Sequence, residues 1–185
     1  MTRPNHSDRF LEALNRASDA DAARMLDPIL ERSPWLARRV ANARPFTDIA
    51  ELTAQMRAQI TTLSDDERLV LLRAHPELAP PEPALMTSAS QVEQGRLSLD
   101  RADDQIGARL RHLNDEYRAR HGFPFIIALH AAPDLTAVLA QFASSLDQNT
   151  ETEIARALDE VVSVASARLE REASSAARTS SEGQQ

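Results

Sequence analysis

The stretch LSDDERLVLLRAHPEL, Leu63 to Leu78, begins as one kind of structure and ends as another. Ser64-Asp65-Asp66-Glu67 is a capping-box pattern, in which the Ser hydroxyl and the Glu carboxylate each satisfy an N–H group that a helix start leaves without a partner. Leu69, Val70, Leu71 and Leu72 follow, so a well-buried helix is expected. It has to end near His75, because a proline pushes the residue before it out of helical geometry. A histidine is therefore left at a rigid exit, with a helix on one side and Pro76 on the other.

The same signals recur along the chain. Ser7 can open a helix through Phe10, Leu11 and Leu14, and Asp19 a second through Met25, Leu26, Ile29 and Leu30. Ser33 followed by Pro34 fits an N-cap with proline at the first helical position, starting a helix to Asn42 with Trp35 in the core. From Asp48, the residues Ile49, Leu52, Met56, Ile60 and Leu63 form an amphipathic stripe. Beyond the proline-rich APPEPA (Ala79 to Ala84), helices are expected from Ser88 or Ser90 to about Leu97, and from Asp100 to His121 with Gly122 as the stop. Two more are expected from Pro133 to about Leu146, and from a second capping box, Thr150 to Glu153, to about Glu172. The apolar run FPFIIAL, Phe123 to Leu129, has no period and fits a strand, a helix entry or a buried extended segment. The fold class read from this is all-α, a single-domain multi-helix bundle over residues 7–172, with a polar tail at 173–185 expected to be disordered.

Composition narrows the chemistry. All 21 basic side chains are Arg, so Schiff-base lysines and the P-loop lysine are excluded, and with 0 Cys there is no thiolate nucleophile and no cysteine metal site. A net charge of -7 opposes the polyanion backbone of nucleic acids. No apolar run approaches a membrane span and the N-terminus has no apolar leader core, so the expected compartment is the cytoplasm.

Three features carry possible chemistry. His75 is set apart from His6, His112, His121 and His130 by its proline-fixed setting. Ser90, Glu93 and Gln94 lie at i, i+3 and i+4, which puts a hydroxyl, a carboxylate and an amide on one helix face; a solvated face is the bland alternative. Arg168 falls on the apolar stripe of Val161, Val164, Ala165 and Leu169, where a guanidinium needs an anionic partner: Glu93, a ligand carboxylate, or water at the end of the stripe.

ERSPWLARRVANARPF (Glu31 to Phe46), LLRAHPELA (Leu71 to Ala79), SASQVEQ (Ser88 to Gln94), LNDEYRARHGFPFII (Leu113 to Ile127) and EIARALDEVVSVASARL (Glu153 to Leu169) together resemble the 2-oxo-4-hydroxy-4-carboxy-5-ureidoimidazoline (OHCU) decarboxylases of urate catabolism. The resemblance runs over about residues 10–172 in the same order. It implies an all-α homodimer that takes the small molecule OHCU, uses no cofactor, and releases (S)-allantoin and CO2; a metal centre is not expected either, because no H-E-x-x-H pattern occurs and His121 and His130 have no ligand pair at metal-site spacing. It assigns His75 as catalytic acid/base with Glu93 as its companion. Pro76, Ser90, Gln94, the backbone around Phe125, Ile126, Ile127, Ala128 and Leu129, and Arg168 would line the substrate site. The rival expectation is a protein of the same fold that has lost the reaction and serves as a binding module or partner of another enzyme in purine catabolism.

Overall fold

The computed structural model describes residues 6–99 and 104–175. Among them are nine α-helices, one short 3-10 turn and no strand, so the all-α expectation holds. The chain divides into two compact units, Met1–Thr62 with Ala165–Gln185, and Leu63–Val164.

The first unit holds α1 (His6–Arg16), α2 (Asp19–Leu26), α3 (Pro34–Ala41) and α4 (Ile49–Thr61). Helix α1 is described from His6, so the expected opening at Ser7 falls inside helical chain. Ser18 caps α2, its hydroxyl accepting the Asp21 N–H at 3.2 Å. That helix stops at Leu26 and does not reach Leu30, since Pro28 cannot supply a helical N–H, yet Ile29 and Leu30 remain buried. Pro34 opens α3 as expected, while the Ser33 hydroxyl turns back to donate to the Glu31 carbonyl at 3.1 Å. Trp35, expected in the core, is half-buried, with the Arg39 guanidinium 5.3 Å from its ring centroid. Asp48 caps α4, accepting the Glu51 N–H at 2.8 Å, and Leu52, Met56 and Ile60 are buried. Arg44 closes two helix ends at once: Nη1 donates to the Leu14 and Ala17 carbonyls at 3.0 Å each, and Nε to the Ala41 carbonyl at 2.8 Å.

The second unit opens with α5 (Asp65–Arg73), whose capping box is formed in both directions: Ser64 N–H to Glu67 Oε2 at 3.0 Å, and Glu67 N–H to Ser64 Oγ at 3.4 Å. Leu71 and Leu72 are buried but Val70 is 54% exposed. Successive helical residues turn by about 100°, so four apolar residues in a row cannot share one face. After the 3-10 turn Pro83–Leu85, Thr87 caps α6 (Ser88–Gly95). Helix α7 is described over Asp104–His121, and its expected start at Asp100 lies outside the described residues. Gly122 stops it at φ 81°, in the left-handed region. Asp134 caps α8 (Leu135–Leu146), accepting the Ala137 N–H at 2.8 Å.

The last helix, α9 (Thr150–Ser175), starts without the expected capping box. Asn149 Oδ1 takes the Thr152 N–H at 2.9 Å, and Glu153 is buried at 1% exposure instead of reaching back. Helix α9 also continues past Glu172 to Ser175, with Ala173 buried; residues 176–185, where a disordered tail was expected, lie outside the described residues. Among the described residues no helix is long and apolar enough to cross a membrane.

Candidate active site

The chain leaves α5 through a loop whose conformation is fixed at almost every step. His75 follows the Ala74 cap, its N–H meeting the Leu72 carbonyl at 3.2 Å, and its ring Nδ1 lies 3.0 Å from the Leu71 carbonyl. A carbonyl can only accept, so Nδ1 is the nitrogen that carries a proton in this contact. His75 and Pro76 are both half-buried. Two residues on, Glu77 is ion-paired with Arg118 of α7.

Helix α6 clamps this loop from the other side. Gln94 donates from Nε2 to the Glu77 carbonyl at 2.7 Å and accepts the Ala79 N–H on Oε1 at 2.8 Å. The buried Asn114 of α7 adds a bond from Nδ2 to the Leu78 carbonyl at 2.9 Å. These bonds hold Ala79 at φ 48°, a left-handed conformation that an alanine seldom adopts unaided. Ser90 and Gln94 are 4% exposed and Glu93 is half-buried, so the polar face of α6 is turned inward and the solvated-face alternative fails.

The run after Gly122 resolves as irregular chain, neither strand nor helix, through Ala128. Phe123, Phe125, Ile126, Ala128 and Leu129 are buried and Ile127 is half-buried. Two groups on α9 hold its backbone: Arg156 Nη1 donates to the Ile126 carbonyl and Glu160 Oε2 accepts the Ala128 N–H, each at 2.8 Å. Arg96, just past α6, ties down the following turn through the His130 and Ala132 carbonyls at 3.2 and 2.6 Å. Helix α6 thus anchors both the His75 loop and the far end of this segment.

Behind the segment lies a buried polar knot in an aromatic cluster. Tyr117 OH donates to Glu153 Oε2 at 2.7 Å, Arg156 Nε meets the same oxygen at 2.8 Å, and the Arg156 guanidinium lies 4.7 Å from the Phe125 ring centroid. Burial first, and the bond to Glu153 second, push the Tyr117 hydroxyl above its ordinary ionisation range, so it stays a neutral donor. Phe125 stacks on Phe142 at 4.1 Å, which fixes the ring that anchors the segment.

In the first unit Arg168 has the anion its position demands. Its Nη1 is 2.7 Å from Glu31 Oε2, and the two side chains are 4% and 1% exposed. Glu31 and Arg32 sit at φ 30° and 47°, so the chain takes two successive left-handed residues where it delivers this carboxylate.

A model of the OHCU decarboxylase family matches residues 15–170. This chain belongs to the OHCU decarboxylase family. The 2-oxo-4-hydroxy-4-carboxy-5-ureidoimidazoline decarboxylase of Haloferax volcanii is 38% identical over 160 residues, 86% of this chain and 93% of that protein. Its counterpart from Halalkalicoccus jeotgali is 34% identical over 160 residues, covering 86% and 89%. The crystal structure of (S)-allantoin synthase aligns with a TM-score of 0.65 at 29% identity, over 88% of this chain and 53% of that one, so the chain spans about half of that protein. An OHCU decarboxylase solved in the presence of (S)-allantoin shares the fold at a TM-score of 0.62 and 17% identity, over 77% of this chain and 92% of that one.

Against the residues expected for such an enzyme, the structure joins the chain after His75 and Pro76 to α6 through Gln94, and it commits both ends of the Gln94 amide to that joint. The residues the sequence reading missed are Glu31, Asn114, Arg156 and Glu160. A usable signal existed for two of them. Glu153, Arg156 and Glu160 stand at i, i+3 and i+7, a charged row on one face of a helix whose other residues there are largely apolar.

Proposed function

We propose that this chain is a decarboxylase of OHCU, releasing CO2 and (S)-allantoin in urate degradation, with His75 as acid/base and Glu93 as its companion. The observation that carries the reading is the His75 ring, held through Nδ1 on the Leu71 carbonyl beside Pro76, in a chain of this family. The chemistry suits the side chains available. The C–C bond to the carboxylate breaks and its electron pair forms a ring C=C bond, while the neighbouring imine nitrogen takes up the displaced pair and a proton. The hydroxyl on the same carbon then loses its proton to become a carbonyl, and the adjacent carbon is protonated from one side. The substrate is its own electron sink, so the reaction calls for no cofactor, and the protein supplies orientation and proton transfer.

Ser90, Gln94 and Pro76, the backbone from Phe125 to Leu129, and Arg168 complete the substrate site in this reading. Gln94 serves it indirectly as well, because the loop it clamps follows His75. The reading takes residues 7–172 as one catalytic domain, which the family match over 15–170 supports, acting as a cytoplasmic homodimer. It assigns no nucleic-acid partner.

The test is circular dichroism of the allantoin formed from urate by urate oxidase and hydroxyisourate hydrolase, with wild type, with His75→Ala and with neither. Wild type should give optically active product, and His75→Ala should lose on the order of 10²–10⁴-fold in kcat, the usual worth of a placed acid/base. Racemic product in every arm would leave only a binding module of this fold.

A further inference from the structure

The segment after Gly122 is held along one edge alone. The Ile126 carbonyl and the Ala128 N–H are two residues apart and are bound by Arg156 and Glu160, four residues apart on α9. Four helical residues rise about 6 Å and two extended residues about 6.6 Å, so the two spacings match. In extended chain the groups of residues i and i+2 face one edge and those of the residue between face the other. The edge toward α9 is therefore Ile126 and Ala128, and the opposite edge is Phe125 and Ile127. Among the described residues no protein group pairs with the backbone N–H or C=O of Ile127 or Phe125. Phe125 is 1% exposed, and unpaired backbone groups in such a setting call for a partner.

We infer that Arg156 and Glu160 are positioning residues for the reaction, fixing this segment so that the Ile127 N–H and C=O face the substrate's urea groups. The inference rests on the reading that this backbone lines the substrate site. A urea carries N–H donors beside a C=O acceptor, so it pairs with such an edge as a neighbouring strand would. Glu160 acts twice: Oε2 accepts the Ala128 N–H, and Oε1 lies 3.8 Å from Arg156 Nη1, whose positive charge is thereby kept at the Ile126 carbonyl. Neither side chain has to touch substrate. Their effect travels through two backbone hydrogen bonds.

The experiment compares wild type, Glu160→Ala and Glu160→Gln for KM and kcat on OHCU generated in situ, and follows the Ile127 and Ala128 amides by NMR with and without (S)-allantoin. Glu160→Ala should raise KM on the order of tenfold with kcat within about threefold, the pattern of a binding interaction lost from ground state and transition state alike. It should also speed hydrogen exchange at Ala128. Glu160→Gln keeps an accepting oxygen and should restore KM to near the wild-type value. In the wild type (S)-allantoin should shift and protect the Ile127 amide, and in Glu160→Ala that shift should be lost. Wild-type KM in Glu160→Ala, a Gln variant no better than Ala, or an Ile127 amide indifferent to (S)-allantoin overturns the inference. A wild type inert toward OHCU sinks the functional reading instead, and the amide shifts then still decide whether Glu160 sets this edge.

Discussion

Glu31 holds a buried carboxylate 2.7 Å from the Arg168 guanidinium while its own backbone sits at φ 30°. Removing one partner of a buried ion pair typically destabilises by about 3–5 kcal/mol. Alanine does not relieve the left-handed backbone, because it keeps the Cβ that makes that region unfavourable. Glu31→Ala should therefore lower unfolding free energy in urea by about 3–5 kcal/mol, and Glu31→Gln, which retains an accepting oxygen, by clearly less. A loss under about 1 kcal/mol in Glu31→Ala would mean that the Arg168 charge is balanced elsewhere. The pair also marks a boundary of sequence reading. Helical spacing put Arg168 on an apolar stripe and required an anion, but the partner lies 137 residues away, and no local pattern singles out one glutamate at that range. For His75 the adjacent proline was readable at once, whereas the Gln94 clamp behind it depends on two helices meeting.

At the level of elements, what sequence reveals is what neighbours decide. The Ser64 box, the Ser33-Pro34 start and the Gly122 stop each depend on groups within a few residues, and each appears where expected. Thr150 and Glu153 have the same spacing as Ser64 and Glu67 and form no box. Glu153 has a better offer from Tyr117 and Arg156, and the Thr150 hydroxyl lies 3.1 Å from His121 Nδ1, so tertiary partners override the local motif. The Phe123 to Leu129 run stayed ambiguous for a related reason: side chains on α9 take up its backbone groups, and an apolar run carries no trace of them. Gly122 makes a test of the local kind. Its carbonyl accepts from Arg73 Nε at 2.8 Å, joining the end of α7 to the end of α5, and an added Cβ would meet Arg73 Nη2 at an ordinary 3.5 Å. Space is thus available and only the backbone angle objects, so Gly122→Ala should cost about 1 kcal/mol in chemical denaturation. A neutral result would show that α7 can end without a left-handed residue.

For the molecule as a whole, one buried histidine should set part of the acid limb of stability. His121 is 4% exposed beside Tyr117, 4.4 Å between ring centroids, and burial lowers its ionisation range below the ordinary value of 6.5. Glu153 opposes that shift, while Arg120 and Arg156 reinforce it. A histidine depressed in the folded state binds its proton more readily when unfolded, so protonation favours unfolding. Its contribution is fully present above pH 6.5 and is lost as pH falls from there toward the lower folded-state value. Urea unfolding of the wild type should therefore be level from about pH 8 to 6.5, then weaken by up to about 1.4 kcal/mol per pH unit, the slope for one proton. His121→Asn, which has no proton to gain in this range, should start less stable but run flatter between about pH 6.5 and 5, before the carboxylates begin to titrate. Parallel pH profiles for the two proteins would assign the acid limb to other groups.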